Sequence, residues 1–195
     1  MRCILLVTLA LSFTTICIGQ TGPDSTMIKG WGDLIENLTV RRPGSDELEW
    51  RTKSNELAAL PQGLVIRHIP NTPRAHAWGE GEYKWEYATT IQSEVGQVTI
   101  EEFGCFRWTG SGWCIIATED TPFTSADFSS WYECNNAILM PGVTYTDQNN
   151  WTTSDRLSGG LYRWYYIGTD SRGRRVKGEA TVELLAQLGA PAVSR

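Results

Sequence analysis

The sequence is short of the side chains from which small catalytic sites are usually built. It has two histidines, His68 and His76. A metal centre would need them together with carboxylates such as Glu80 or Glu82 from the same stretch. His76 and Glu80 have the i, i+4 spacing of a helical ligand pair, but Trp78, Gly79 and Gly81 argue against a helix there. A blue-copper site needs two histidines and a cysteine, and no histidine follows Cys105, which excludes it. There is no G-x-S-x-G elbow, so no serine is marked as a nucleophile. Gly-rich dinucleotide and P-loop patterns are also missing, and nothing in the sequence asks for a cofactor.

Long apolar runs are equally scarce. The one of note, 4–18, follows Arg2 and is too short to span a bilayer comfortably. Cys17 and Gly19 are small residues at the −3 and −1 positions of a cut before Gln20, so 1–19 reads as a secretory signal peptide. The expectation is an exported mature chain of about 175 residues with no transmembrane segment, secreted or periplasmic. Positive charge is in deficit too: 17 basic against 22 acidic side chains, or 16 against 22 without Arg2. That balance argues against nucleic acid as a partner, because phosphate binding needs a basic face.

Cysteine is sparse, and the number left beyond the signal is odd: Cys105, Cys114 and Cys134. If Trp108 faces Ser111 across a two-residue turn, Cys105 falls opposite Cys114. A bridge there would contribute about 2–3 kcal/mol through loop entropy. All three could instead be buried thiols, or Cys134 could take one of the other two.

What the sequence has in abundance is tryptophan, nine in all, and β-type alternation. Over 82–118, three runs of β-forming residues are separated by E-V-G-Q and T-G-S-G turns. Tyr83, Trp85, Tyr87, Thr89 and Ile91 fall on one face of the first run, and Lys84, Glu86 and Gln92 on the other. The expectation is an antiparallel meander with one face on a core. At Glu101-Glu102 two registers compete. Unbroken alternation buries Glu102 among aromatics with a raised pKa, as a general acid needs. The favoured alternative, a bulge at 101–102, turns both carboxylates outward and sends Phe103 and Cys105 inward.

The last hairpin is the most closely determined. Tyr162, Trp164 and Tyr166 must share a face with Val176, Gly178, Ala180 and Val182. A three-residue loop of Ser171, Arg172 and Gly173 does this, setting Tyr166 opposite Gly178 and Trp164 opposite Ala180. Arg172, Arg174 and Arg175 cluster at its tip, either to receive an anion or to block edge pairing. Thr124 and Asp127 have capping-box spacing ahead of Phe128, Trp131 and Tyr132, which predicts one short helix near 125–133. Ser54 is placed to cap a helix running to Leu60, with Leu57 and Leu60 inward. L-V-I-R-H-I after Gly63 reads as a first strand, 70–81 as a loop, and 147–160 as a polar loop. Asp147, Asn149 and Asp155 occupy positions 1, 3 and 9 of a calcium-loop spacing that then lacks its glycine and final glutamate. Asn37-Leu38-Thr39 and Asn150-Trp151-Thr152 are N-glycosylation sequons.

Together these features predict an all-β chain, an antiparallel β-sandwich. The signal is followed by an N-terminal extension over 20–62, the sandwich over 63–185, and a frayed tail over 186–195. Tyr132-Glu133-Cys134 resembles the Tyr-x-Cys near the end of immunoglobulin variable domains. Cys105 and Cys114 lie too close together in sequence to supply the matching inter-sheet bridge, so the resemblance is one of architecture and identifies no family. The functional expectation is a non-catalytic module that binds a glycan, a protein or a surface component. The alternative is a small secreted hydrolase or lyase using Glu102, His68 or His76.

Overall fold

The computed structural model describes residues 45–116 and 122–189. The expected signal peptide, the first sequon and most of the expected 20–62 extension lie outside the described residues. Chain order is α1 (Ser45–Ala59), β1 (Leu64–Ile69), β2 (Arg74–Ala77), β3 (Tyr83–Ser93), β4 (Val98–Trp108), β5 (Trp113–Ile115), β6 (Phe123–Thr124), α2 (Ser125–Trp131), β7 (Ile138–Leu139), β8 (Tyr145–Ser154), β9 (Gly160–Asp170) and β10 (Arg175–Leu188). The chain is strand-rich, as its alternation requires. Among the described residues no helix is long and apolar enough to cross a membrane.

The strands form one mixed, open sheet with two antiparallel halves. In the first half β3 is flanked by β8 on one side and by β1 and β2 on the other. In the second half β9 lies between β10 and β4, and β5, β6 and β7 follow one another along the far edge of β4. A short parallel contact between β2 and β10 joins the halves. The meander expected over 82–118 is therefore corrected. β4 and β5 make a hairpin, but β3 and β4 belong to different halves, and the E-V-G-Q turn hands the chain from one to the other. A turn signal marks where a strand stops and does not name its neighbour.

Two clusters hold the fold. The larger contains Trp85, Tyr87, Ile91, Val98, Ile100, Phe103, Phe128, Trp164, Tyr166, Val176 and Val182. Each such side chain withdrawn from water contributes about 1.5–3 kcal/mol. The smaller, on the opposite face of β4 and β9, packs Leu57 of α1 on Phe106, Tyr165 and Ile167. β9 is thus buried on both faces, and α1 is the layer over its second face. That helix starts at Ser45, so Ser54 lies within it instead of capping it. Leu57 is inward as expected, with Leu60 half-buried against the same cluster.

The 160–184 hairpin has the register expected, Gly178 against Tyr166 and Ala180 against Trp164, with Gly173 left-handed at φ 77°. Thr124 and Asp127 form a full capping box at the start of α2. Three further expectations are corrected. Residues 147–154, expected as loop, belong to strand β8; the inward side chains Asp147 and Asn150 are polar, so no apolar alternation announces it. The 70–81 stretch contains β2. The tail keeps its structure through Leu188, since Gly189 N–H donates to Ala75 C=O at 2.7 Å.

Candidate functional site

The outer face of the first half carries an aromatic and charged cluster. The β2–β3 hairpin pairs His76 with Lys84 and Ala77 with Tyr83, and Trp78 N–H closes it on Glu82 C=O at 2.8 Å. Its loop turns through Gly79 and Gly81 at φ 68° and 77°, conformations that favour glycine. On the other side of β3, Glu86 pairs with Trp151 and Lys84 with Thr153 of β8. Period-two alternation then puts His76, Trp78, Lys84, Glu86 and Trp151 on one face, opposite the core-facing Trp85 and Tyr87.

Lys84 organises this cluster. Its Nζ lies 4.2 Å from the Trp78 ring centroid, 4.8 Å from that of Trp151 and 2.6 Å from Glu86 Oε1. An ammonium between two indole faces is held by the ring quadrupoles as well as by the carboxylate. Its side chain is only 10% exposed, so it acts as a fixed pillar between the rings. His76 Nε2 stands 3.8 Å from Glu86 Oε2, and its ring meets Trp78 edge-on. Trp78 itself is 48% exposed. A second exposed tryptophan, Trp108, packs edge-on against Trp113 at the β4–β5 tip, where Arg163 covers the Trp113 ring at 4.1 Å.

The remaining sequence candidates go elsewhere. His68 is buried. Its Nδ1 is 3.0 Å from Thr89 Oγ1, its Nε2 3.4 Å from Ala180 C=O, and burial lowers its pKa to about 4. Asn150 Nδ2 continues the chain, donating to Thr89 Oγ1 at 2.9 Å and to Asp147 Oδ2 at 2.7 Å. Burial raises Asp147 to about 6, against the smaller opposing effect of the Asn149 N–H bond. A sequence search for surface ligands misses this internal relay, because its members come from β1, β3 and β8.

At Glu101-Glu102 the ladder slips between Ile100 and Glu102, so the bulge is present and the buried-acid reading is overturned. Phe103 and Cys105 face the core, while Glu102 is hydrogen-bonded to Lys53 of α1. Glu101 accepts from Thr169 and from Arg175 Nε. Of the hairpin arginines, Arg174 is held by Asp170 at 2.7 Å, and Arg175 by Glu56 at 2.9 Å and Glu101 at 3.1 Å. Arg172 is exposed at the tip. Two of the three cations are thus already matched by carboxylates. The Cys105–Cys114 bridge is also corrected: Cys105, Cys114 and Cys134 are all free. The β4–β5 loop has four residues, with Trp108 against Trp113, so Cys114 stands across from Arg107. The calcium-loop spacing falls largely in β8, and among the described residues no group of three or more His, Cys, Asp or Glu is arranged to hold a metal.

No family model matches this chain, and no curated protein matches it. Among solved structures it is similar to the structural-genomics target SoR45, at 12% identity and a TM-score of 0.45 over 70% of this chain and 94% of that one. It is also similar to a Bordetella pertussis protein provisionally designated ApaA, at 14% identity and a TM-score of 0.39 over 69% of this chain and 98% of that one.

Proposed function

We propose that this chain is an exported, non-catalytic binding module whose contact face is the Trp78–Lys84–Trp151 cluster, and that its ligand is a glycan. The observation that carries the reading is Trp78, half-exposed and braced on one side by a fixed ammonium. An indole held in this way is a rigid apolar platform that loses little side-chain freedom on binding. Glu86, 56% exposed beside it, is placed to accept hydrogen bonds from hydroxyl groups. The two antiparallel halves are read here as the layers of a sandwich, a reading supported by the packing of β1 against β10. Gly63 lies on Val176, and Gly178 on Leu64 and Ile66.

The alternative, a hydrolase or lyase using Glu102, His68 or His76, has less support. Glu102 is paired with Lys53, His68 is committed to Thr89 and Ala180, and His76 lies on the outer face. Export rests on the signal-like run at 1–19 and is tested by expressing the full chain and sequencing the amino terminus of the exported product. Function is tested by incubating the mature protein on a glycan and peptide array while monitoring turnover. Retention on glycans that is lost in Trp78→Ala supports the reading. Turnover, or retention that ignores this substitution, contradicts it.

A further inference from the structure

Around Asp147 the core has more hydrogen-bonding capacity than its own side chains use. Asn150 is 1% exposed, and its Oδ1 has no protein partner among the described residues. The orientation of the amide is fixed by chemistry. Turned over, it would point Oδ1 at the Asp147 carboxylate and lose both bonds that Nδ2 now makes. Thr89 and His68 have no proton to spare for it. The Ala180 carbonyl only accepts, so neutral His68 keeps its proton on Nε2, and Nδ1 accepts the hydrogen bond of the Thr89 hydroxyl.

Elsewhere in the core, the hydroxyls of Tyr132 and Tyr166 share a single bond of 2.5 Å. Whichever donates, the other keeps a proton. Burial is the first cause that raises both phenols, and the charge of Asp147 adds to each. Asp147 is itself 6% exposed, and among the described residues no cation pairs with it. Its partners are the Asn149 N–H and the Asn150 amide. Buried polar groups are almost always satisfied, so an orphan acceptor beside an unpaired carboxylate calls for a donor.

We propose that the core holds a binding site beside Asn150 Oδ1 and Asp147 for one small molecule that donates hydrogen bonds. It must donate, because the open positions on Asn150 and Asp147 are acceptors. It must be small, because Tyr166, Phe128 and Leu139 are fully buried in the same core. Water and ammonium share this chemistry. Water brings no charge, whereas ammonium supplies the missing positive charge.

The test uses the wild-type mature protein. Crystals grown with and without ammonium salts are solved at a resolution that shows ordered solvent. Thermal melts are run in ammonium, sodium and tetramethylammonium chloride at equal ionic strength. The expected result is one non-protein density within hydrogen-bond distance of Asn150 Oδ1. If it is water, the density is the same in both crystals and the three melts coincide. If it is ammonium, the melt rises only in ammonium chloride and Asp147→Asn removes the rise. A structure in which Oδ1 bonds a protein group, or in which the side chains close around it with no density, overturns the proposal.

Discussion

The side-chain amide of Asn150 donates to the carboxylate of Asp147 at 2.7 Å inside the core, on the same strand and three residues away. Through Thr89, that amide also connects Asp147 to His68. Burial moves the two titratable groups in opposite directions, Asp147 up to about 6 and His68 down to about 4. Between pH 4 and 6 the folded state holds an extra proton on Asp147, so this group's contribution weakens as pH rises through that window. Over pH 4–6.5 the folded state lacks a proton on His68, so stability from this group is lost as pH falls. Each effect is on the order of 3 kcal/mol, and they oppose one another. His68→Gln should therefore make stability rise on acidification from pH 6.5 to 4, and Asp147→Asn should make it fall. Urea melts at three pH values check the two signs.

The second sequon is legible in the sequence and closed in the fold. Glycosylation would join a sugar to Asn150 Nδ2, the atom that already bonds Thr89 and Asp147 in the interior. Folded protein from a glycosylating host should carry no glycan on Asn150, and peptide mass spectrometry reads this directly. A sugar found there on natively folded protein would mean that β8 is placed wrongly.

Gly178 tests how closely β1 crosses β10. A Cβ there would stand 2.7 Å from both Leu64 Cβ and the Leu64 carbonyl oxygen, and backbone does not yield as a flexible side chain would. Gly178→Ala should cost about 1–3 kcal/mol as overpacking. Gly112→Ala, where nothing lies within 4 Å of the added carbon, should change the urea midpoint little.

The three thiols should react at different rates. Cys114 is half-exposed, whereas Cys105 and Cys134 are buried, and burial raises both of those thiols. Alkylation of the native mature protein without reductant should label Cys114 first, with Cys105 and Cys134 following only in denaturant. A Cys105–Cys114 disulfide in the peptide map would contradict the β4–β5 register.

These outcomes bear on what could be read in advance. The 160–184 register was legible because two apolar faces had to coincide and Gly173 fixed the loop. The bulge at 101–102 was legible because otherwise a carboxylate would be buried among aromatics. The disulfide failed on loop length: W-T-G-S-G-W closes with four residues, and two fewer would have aligned the cysteines. β8 was hidden because its inward side chains Asp147 and Asn150 are polar, so the strand shows no apolar alternation in the sequence. The surface cluster was hidden for a related reason. H-x-W and K-x-E flank a Gly-rich turn and could have announced the hairpin, but Trp151 joins them only once β8 pairs with β3.

The central claim is that Trp78 is the ligand platform. It is tested most directly by titrating the mature protein with the glycans retained on the array and following tryptophan fluorescence. Wild type, Trp78→Ala and Trp108→Ala are compared. The account predicts saturable quenching in wild type and in Trp108→Ala, and affinity weakened tenfold or more in Trp78→Ala, the loss of about 1.4 kcal/mol or more expected of an anchoring aromatic. Equal affinity in wild type and Trp78→Ala would contradict it.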